Sequence, residues 1–316
     1  IYKKSKYLDD SIAESTGIWA GRHFETDDAI IFVGACGIAV RSIAPYVASK
    51  KSDPAVLVID ECGKFVISLL SGHLGGANEL TLEVAELLGA VPVVTTATDL
   101  HHRFAVDVFA KKNCCGIQNM KAAKEVSAAL LAGEPVGFYS EFPWTGKLPE
   151  GLEESSEDTQ DKPEIGIAVT IHPTCKPFTS TVQIIPRVVT LGMGCRRNKE
   201  ADVIEKEASV CLADADIYSQ AVEKLTSISI KKDEVGLQKL AEDWRIPFIT
   251  FEEEELSHAE GEFTPSEFVK KITGVNNVCE RSAVLGAEQG RLIKNKTGRN
   301  GVTTALALRN WEVHFE

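Results

Sequence analysis

What the 316-residue chain lacks narrows its job first. No apolar stretch reaches the ~18–20 residues that a membrane span needs, so a membrane partner is not expected. No secretory hydrophobic region precedes the eight cysteines, which are too sparse for a disulfide scaffold. None forms a Cys-x-x-Cys pair, and the adjacent Cys114 and Cys115 are poorly placed to clamp one ion. No protein metal site is therefore expected, and the cysteines read as reduced thiols of a cytoplasmic protein. Long basic runs are missing too. With 34 Lys+Arg against 46 Asp+Glu the formal charge is −12, which argues against nucleic acid as a partner. Neither a Gly-x-Ser-x-Gly elbow nor a Walker A loop occurs.

What remains is globular in composition, with 44 % hydrophobic and 25 % charged residues. The length suits two or three domains. The chain opens on Ile1 and a basic stretch to Tyr7, so a segment upstream is expected.

Ala29–Val33, Ala55–Ile59, Phe65–Leu69 and Val91–Thr95 read as strands. The third follows the second so closely that a hairpin or a short extension is expected. Helical spacing marks Gly37–Val47 and the segment opened by Gly75-Gly76-Ala77-Asn78, which Gly89 stops. Arg103–Lys112 and Asn119–Leu131 read as helices, and Pro135–Tyr139, Ile165–Thr170 and Thr181–Ile185 as strands. Seven acidic residues and one Lys in Glu150–Glu164 predict a solvated loop. After Pro186 the alternation resumes. Val188–Leu191 predicts a strand, Gly192–Gly194 a turn, Lys199–Ala208 a helix, Ile217–Leu225 a helix and Thr226–Ile230 a strand. Glu234–Trp244, Pro247–Phe251 and Thr264–Ile272 continue the series, and Arg291–Lys294 with Val302–Leu308 closes it. The expected fold class is α/β: two three-layer αβα domains, 1–97 and 187–316, with a small middle module, 98–186, between them.

The strongest local signal is Ser71-Gly72-His73-Leu74-Gly75-Gly76-Ala77-Asn78, a glycine-rich bend between a strand and a helix. Glycines allow close backbone approach, and helix-start N–H groups attract anions. His73 could exchange protons near neutral pH there, with Glu61 orienting it; the alternative is tight packing beside a surface histidine. Gly192-Met193-Gly194-Cys195-Arg196-Arg197 also follows a strand. Arg197 stands where a dinucleotide fingerprint needs its third glycine, so a nicotinamide is disfavoured, and the two arginines suit carboxylates. Thr95, Thr96, Asp99, Lys231 and Glu234 lie after strands, where ligands of open sheets collect. The two glycine turns are expected to serve one ligand across an interdomain cleft.

Gly37-Ile-Ala-Val-Arg41, Ser52-Asp-Pro-Ala-Val56, Leu70–Asn78 and Thr95–Asp99 resemble the amino-terminal region of the cobalamin-biosynthesis protein G family. Leu191–Arg197, Lys231 with Asp233-Glu234, Val278-Cys279-Glu280 and Val302–Ala305 extend the likeness in order. Two departures stand out: the family's opening strand–helix unit is expected to lie upstream of Ile1, and Ser229 replaces an expected acidic residue. The resemblance implies cobalt-precorrin-5A hydrolysis: a δ-lactone on ring A opens and acetaldehyde leaves. Cobalt would come with the substrate, so no cofactor is implied; water is the co-substrate. The implied site comprises His73 and Glu61 as catalytic residues. Substrate would be held by Arg41, Ser71, Gly72, Gly75, Gly76, Asn78, Thr95, Thr96 and Asp99. From the carboxyl-terminal part it adds Gly192, Gly194, Arg196, Arg197, Lys231, Glu234 and Glu280. A non-catalytic tetrapyrrole carrier is the rival expectation, and a homo-oligomer is left open.

Overall fold

The computed structural model describes all residues except 6, 8, 50–51, 74, 97–103, 157–160, 267–273 and 316. The predicted Asp99 site and most of the predicted Thr264–Ile272 helix therefore lie outside the described residues; Thr264–Ser266 are not helical. The chain divides into two compact units, Ile1–Val108 and Phe109–Glu316.

Unit 1 is built on the sheet β1 (Ala29–Val33), β2 (Ala55–Ile59), β3 (Phe65–Leu70) and β4 (Val91–Val93), in that spatial order. Helices α1 (Thr16–Thr26) and α2 (Cys36–Ile43) cover one face, where Ala20, Phe24, Ala39 and Ile43 meet Ile30, Phe32, Val56 and Val58. Helix α3 (Ala77–Leu88) covers the other through Ala77 and Ala85 against Ala55, Leu57, Ile59 and Val66. This is the three-layer arrangement expected of alternating strands and helices. Strand β2 is apolar and buried along its whole length because helices press on both its faces. As the spacing predicts, β2 and β3 form an antiparallel hairpin, whereas β1–β2 and β3–β4 are parallel pairs. Asp60 builds the hairpin turn by accepting from the backbone N–H groups of Phe65, Lys64 and Cys62 at 2.6, 2.7 and 3.0 Å. The Phe65 N–H above all holds its carboxyl below the usual range.

Helix α4 (Val106–Lys112) carries the chain from one unit into the next. Unit 2 begins with a sheet ordered β5 (Cys115–Gln118), β10 (Ser180–Pro186), β9 (Ile165–Val169), β6 (Val136–Ser140) and β8 (Leu152–Glu154). Helix α5 (Met120–Ala132) packs on it, capped by the Asn119 side chain, which accepts from Ala122 N at 3.2 Å, and stopped by Gly133 at φ 76°. The acidic segment is not loop throughout. Leu152 is buried in β8, beside Val136, so one apolar side chain draws part of it into the sheet. Strand β7 (Trp144–Thr145) pairs with the far β16 (Val313–His314).

The second sheet of unit 2 runs β13 (Phe248–Phe251), β12 (Val222–Ile228), β11 (Val189–Cys195), β15 (Val302–Leu308), β14 (Arg291–Arg299). Helices α6 (Ala201–Asp214) and α7 (Val235–Trp244) pack together, with Gly236 against Ile204; α8 (Glu253–Ser257) and α9 (Cys279–Gly286) follow. Two expectations need correction here. Ile217–Leu225 is not a helix: a single 3-10 turn at Ser219–Ala221 leads into β12. A strand buried on both faces shows no alternation, so its apolar residues were spaced like one face of a helix. Gly192–Gly194 is not a turn either, but the middle of β11.

Candidate active site

The mixed topology of unit 1 sorts the sequence-predicted residues onto two edges. Strands β1 and β2 end on one edge; β3 and β4 end on the opposite one. Glu61 follows β2, so it lies across the six-residue β3 from the glycine bend, roughly 20 Å away at strand rise. It cannot orient His73. Arg41, in α2 after β1, belongs to Glu61's edge, and its Nη1 donates to the Gly37 carbonyl at 3.0 Å. The edge where β3 and β4 end brings together His73, Ser71, Gly72, Gly75, Gly76, Asn78, Thr95 and Thr96.

The bend is shaped by its own bonds. Ser71 adopts φ 59° and Gly76 φ 81°, the left-handed region where a side chain is costly. The N–H groups of Gly76, Ala77 and Asn78 donate to the carbonyls of His73, Ser71 and Gly72 at 2.9, 3.1 and 2.9 Å. These helix-start donors are therefore spent inside the bend rather than held out to an anion. A side chain at Gly75 would strike Ser71, and one at Gly72 would come 2.7 Å from Asn78 Oδ1. Buried Asn78 accepts from Ser68 Oγ at 2.6 Å and donates to Thr96 Oγ1 at 3.0 Å, tying the bend to β3 and to the end of β4. Ser71 Oγ, also buried, has no hydrogen-bond partner among the described residues.

The partner of His73 is one the sequence reading missed. Its Nδ1 lies 3.4 Å from Asp107 Oδ1, with both side chains less than a fifth exposed (18 and 17 %). Asp107 opens α4, where the helix N-terminus also favours a carboxylate. Thirty-four positions separate the two residues, and only helix placement joins them. Asp107 falls in the middle of the predicted Arg103–Lys112 helix, and only the observed start at Val106 places it in a first turn.

In unit 2 the strands β11, β12 and β13 are parallel, and their shared edge collects Arg196, Arg197, Lys231 and Glu234. Both arginines are exposed. Lys231 Nζ lies 2.8 Å from Glu234 Oε2, while Glu234 Oε1 accepts from Lys199 N at 3.2 Å. Burial works to raise the Glu234 carboxyl, but Lys231 and the backbone N–H groups of Lys199 and Asn198 hold it below its ordinary value. Glu234 thus pins the loop that presents the arginines. The nearby Cys195 thiol is pushed up to about 11, chiefly by burial.

Three other predicted ligands of substrate are engaged in packing. A side chain on Gly192 would overlap the Cys279 carbonyl, because α9 rests directly on β11 there. Gly194 faces Thr303, whose Oγ1 bonds the Gly194 carbonyl at 3.3 Å. Glu280 is fully buried and accepts four bonds: from Thr264 N and Oγ1, both at 2.7 Å, Asn277 Nδ2 at 2.8 Å and Lys296 N at 2.6 Å. With its oxygens filled, it fastens α9 to β14 and to the Thr264 segment.

Residues 19–99 match the family described as cobalamin synthesis G N-terminal, 104–186 the cobalamin biosynthesis central region, and 189–307 the cobalamin synthesis G C-terminus. The chain belongs to the cobalamin synthesis G family. A Salmonella typhimurium relative named cobalt-precorrin-5A hydrolase is 37 % identical over 92 % of this chain and 84 % of its own length. A Priestia megaterium relative of the same name is 35 % identical, over 90 % of this chain and 79 % of its own. Protein CobE of a Sinorhizobium species is 29 % identical over 38 % of this chain and 79 % of its own length. Among the described residues no helix is long and apolar enough to cross a membrane, and no cluster of three or more His, Cys, Asp or Glu could hold a metal ion.

Proposed function

We propose that this chain is a cobalt-precorrin-5A hydrolase of cytoplasmic cobalamin biosynthesis. The observation that carries the reading is the 37 % identity, over 92 % of the chain, to a relative of that name. A match of that span includes all three family regions, rather than one shared module.

The reaction asks for several proton transfers. Water adds to the lactone carbonyl, the ring C–O bond breaks, and the alkoxide leaves as a hydroxyl. A base then takes that hydroxyl proton; the adjoining C–C bond breaks, acetaldehyde forms, and the electron pair stays on the macrocycle, which takes a proton. His73 is our candidate to move protons at the lactone. Asp107 Oδ1, 3.4 Å from Nδ1, orients its ring, as a carboxylate does for a histidine base.

Substrate capture must be local, because a protein of charge −12 repels a carboxylate-fringed macrocycle at long range. Arg196 and Arg197, presented by the Glu234-pinned loop, supply forks for carboxylates. Cobalt is part of the substrate.

The test is to mix the full chain with cobalt-precorrin-5A and measure free acetaldehyde by its reduction with alcohol dehydrogenase and NADH. The expected result is one acetaldehyde per macrocycle over repeated turnovers. Recovery of bound but unchanged macrocycle would replace this reading by the carrier.

A further inference from the structure

A wide cleft of unit 2 is used by none of the groups above. It measures about 1410 Å³ and lies wholly within unit 2, where β6 and β9 end against the close of α6, the start of β14 and the end of β15. Compact metabolites need far less; pockets for drug-sized ligands run to about 1,000 Å³. Its walls differ in character. Phe142 and Trp311 meet edge to face, with centroids 5.2 Å apart, and continue into Leu292 and Leu308, an apolar wall for a flat ligand. Three cations line it. Lys294 donates to the Cys211 carbonyl at 3.0 Å and Arg309 to Glu223 at 3.2 Å, but exposed Arg291 has no partner among the described residues.

His172 stands at the mouth where this cleft joins a smaller recess of about 460 Å³. Its Nδ1 is 2.7 Å from the Asp216 carbonyl oxygen. A carbonyl only accepts, so Nδ1 donates this bond, and in the neutral ring Nε2 is the nitrogen with the lone pair. Asp216 aims that carbonyl from a left-handed turn, φ 52°, just after α6. Beyond Nε2, at 4.0 Å, lies Glu141 Oε2. Glu141 accepts from Thr170 Oγ1 at 2.6 Å and Ile171 N at 3.3 Å. A ring nitrogen held from behind, a carboxyl group beside the other nitrogen and a wide cleft with one aromatic wall in front make a proton acceptor facing a large ligand.

We infer that this cleft, at the end of the second sheet opposite Arg196 and Arg197, is a seat separate from theirs that takes a planar, carboxylate-bearing macrocycle, stacked on Trp311 with a carboxylate on Arg291, and that His172 Nε2 accepts a proton from a hydroxyl of the bound ligand. The proton moves to Nε2, Glu141 stabilises the imidazolium, and no electrons are exchanged with the protein. Naming cobalt-precorrin-5A as the macrocycle rests on the hydrolase reading.

The test uses the full chain and cobalt-precorrin-5A, reading binding by equilibrium dialysis and turnover by acetaldehyde. Arg291→Glu, at an exposed and unpaired side chain, should fold as the parent does and bind at least tenfold more weakly. Trp311→Ala should do the same, with Trp311→Phe recovering most of the loss. His172→Asn keeps a donor for the Asp216 carbonyl but removes Nε2; it should bind within threefold of the parent and turn over at least a hundredfold more slowly. His172→Ala should regain turnover when imidazole is added. Parent-like binding by Arg291→Glu and Trp311→Ala overturns the cleft, and parent-like turnover by His172→Asn overturns the proton acceptor. If the parent releases no acetaldehyde yet Arg291→Glu loses binding, the hydrolase reading fails and the cleft stands.

Discussion

The carbonyl oxygen of Cys279 occupies the space that a side chain on Gly192 would need. Two secondary-structure layers touch there, backbone to backbone, at the centre of the second sheet of unit 2.

Gly192→Ala should therefore act on stability. The methyl group must push α9 off β11, and overpacking of this kind costs about 1–3 kcal/mol or more. Thermal unfolding should show a lowered midpoint, while macrocycle affinity per folded molecule stays at the parent value. A variant as stable as the parent that binds poorly would return Gly192 to the ligand site.

His73→Asn keeps a polar side chain and removes the titratable ring. Single-turnover acetaldehyde release should fall roughly 10²–10⁴-fold while binding persists. Asp107→Asn should lower release less, since the ring remains but loses its carboxylate. Glu61→Gln, across the sheet, should leave both quantities unchanged. Equal rates in parent and His73→Asn would remove the histidine from the chemistry.

Replacing Arg196 and Arg197 together by Ala should weaken macrocycle binding, and the parent's affinity should drop as salt screens the pair. Deleting the acidic residues Glu153 and Glu154 as charges, by Gln substitution, should change affinity little, because they lie on a different sheet from the arginines. Salt-independent binding in the parent would defeat the carboxylate fork.

Glu234 carries a pH signature. Its folded carboxyl titrates below its ordinary 4.5, so it contributes stability that is complete above that value and is lost as pH falls through the lower, folded value. Glu234→Gln should thus destabilise the chain at pH 7 and leave its stability at strongly acidic pH close to the parent's. Denaturant unfolding at several pH values reads the difference; a constant gap across the range would show that the charge is not what matters.

Much of unit 1 could be read in advance, because its signals are local. Apolar runs such as Ala55–Ile59, the Gly76 and Gly89 ends of α3 and the short β2–β3 link each need only neighbouring residues. Site assembly is a different problem. Glu61 and Asp107 are both plausible partners for His73 on a string of letters; the antiparallel step at β3 carries one away, and α4 brings the other close. Glycine misled in the opposite direction. At Gly76 it marks a backbone conformation, at Gly192 the approach of another helix, and the letter is the same. His172 and Glu141 drew no attention because their setting depends on Asp216, 44 positions on, and on Thr170.

Val313 and His314 pair with Trp144 and Thr145, Asn113 bonds the backbone of His314, and Phe315 stacks on Phe109 while meeting Phe138 and Trp144 edge-on. A chimaera that exchanges residues 109–186 between two relatives, and leaves 311–315 behind, would divide that aromatic cluster between parents. Recombination keeps it whole only when both stretches travel together, because the cluster is assembled from two separate places along the chain.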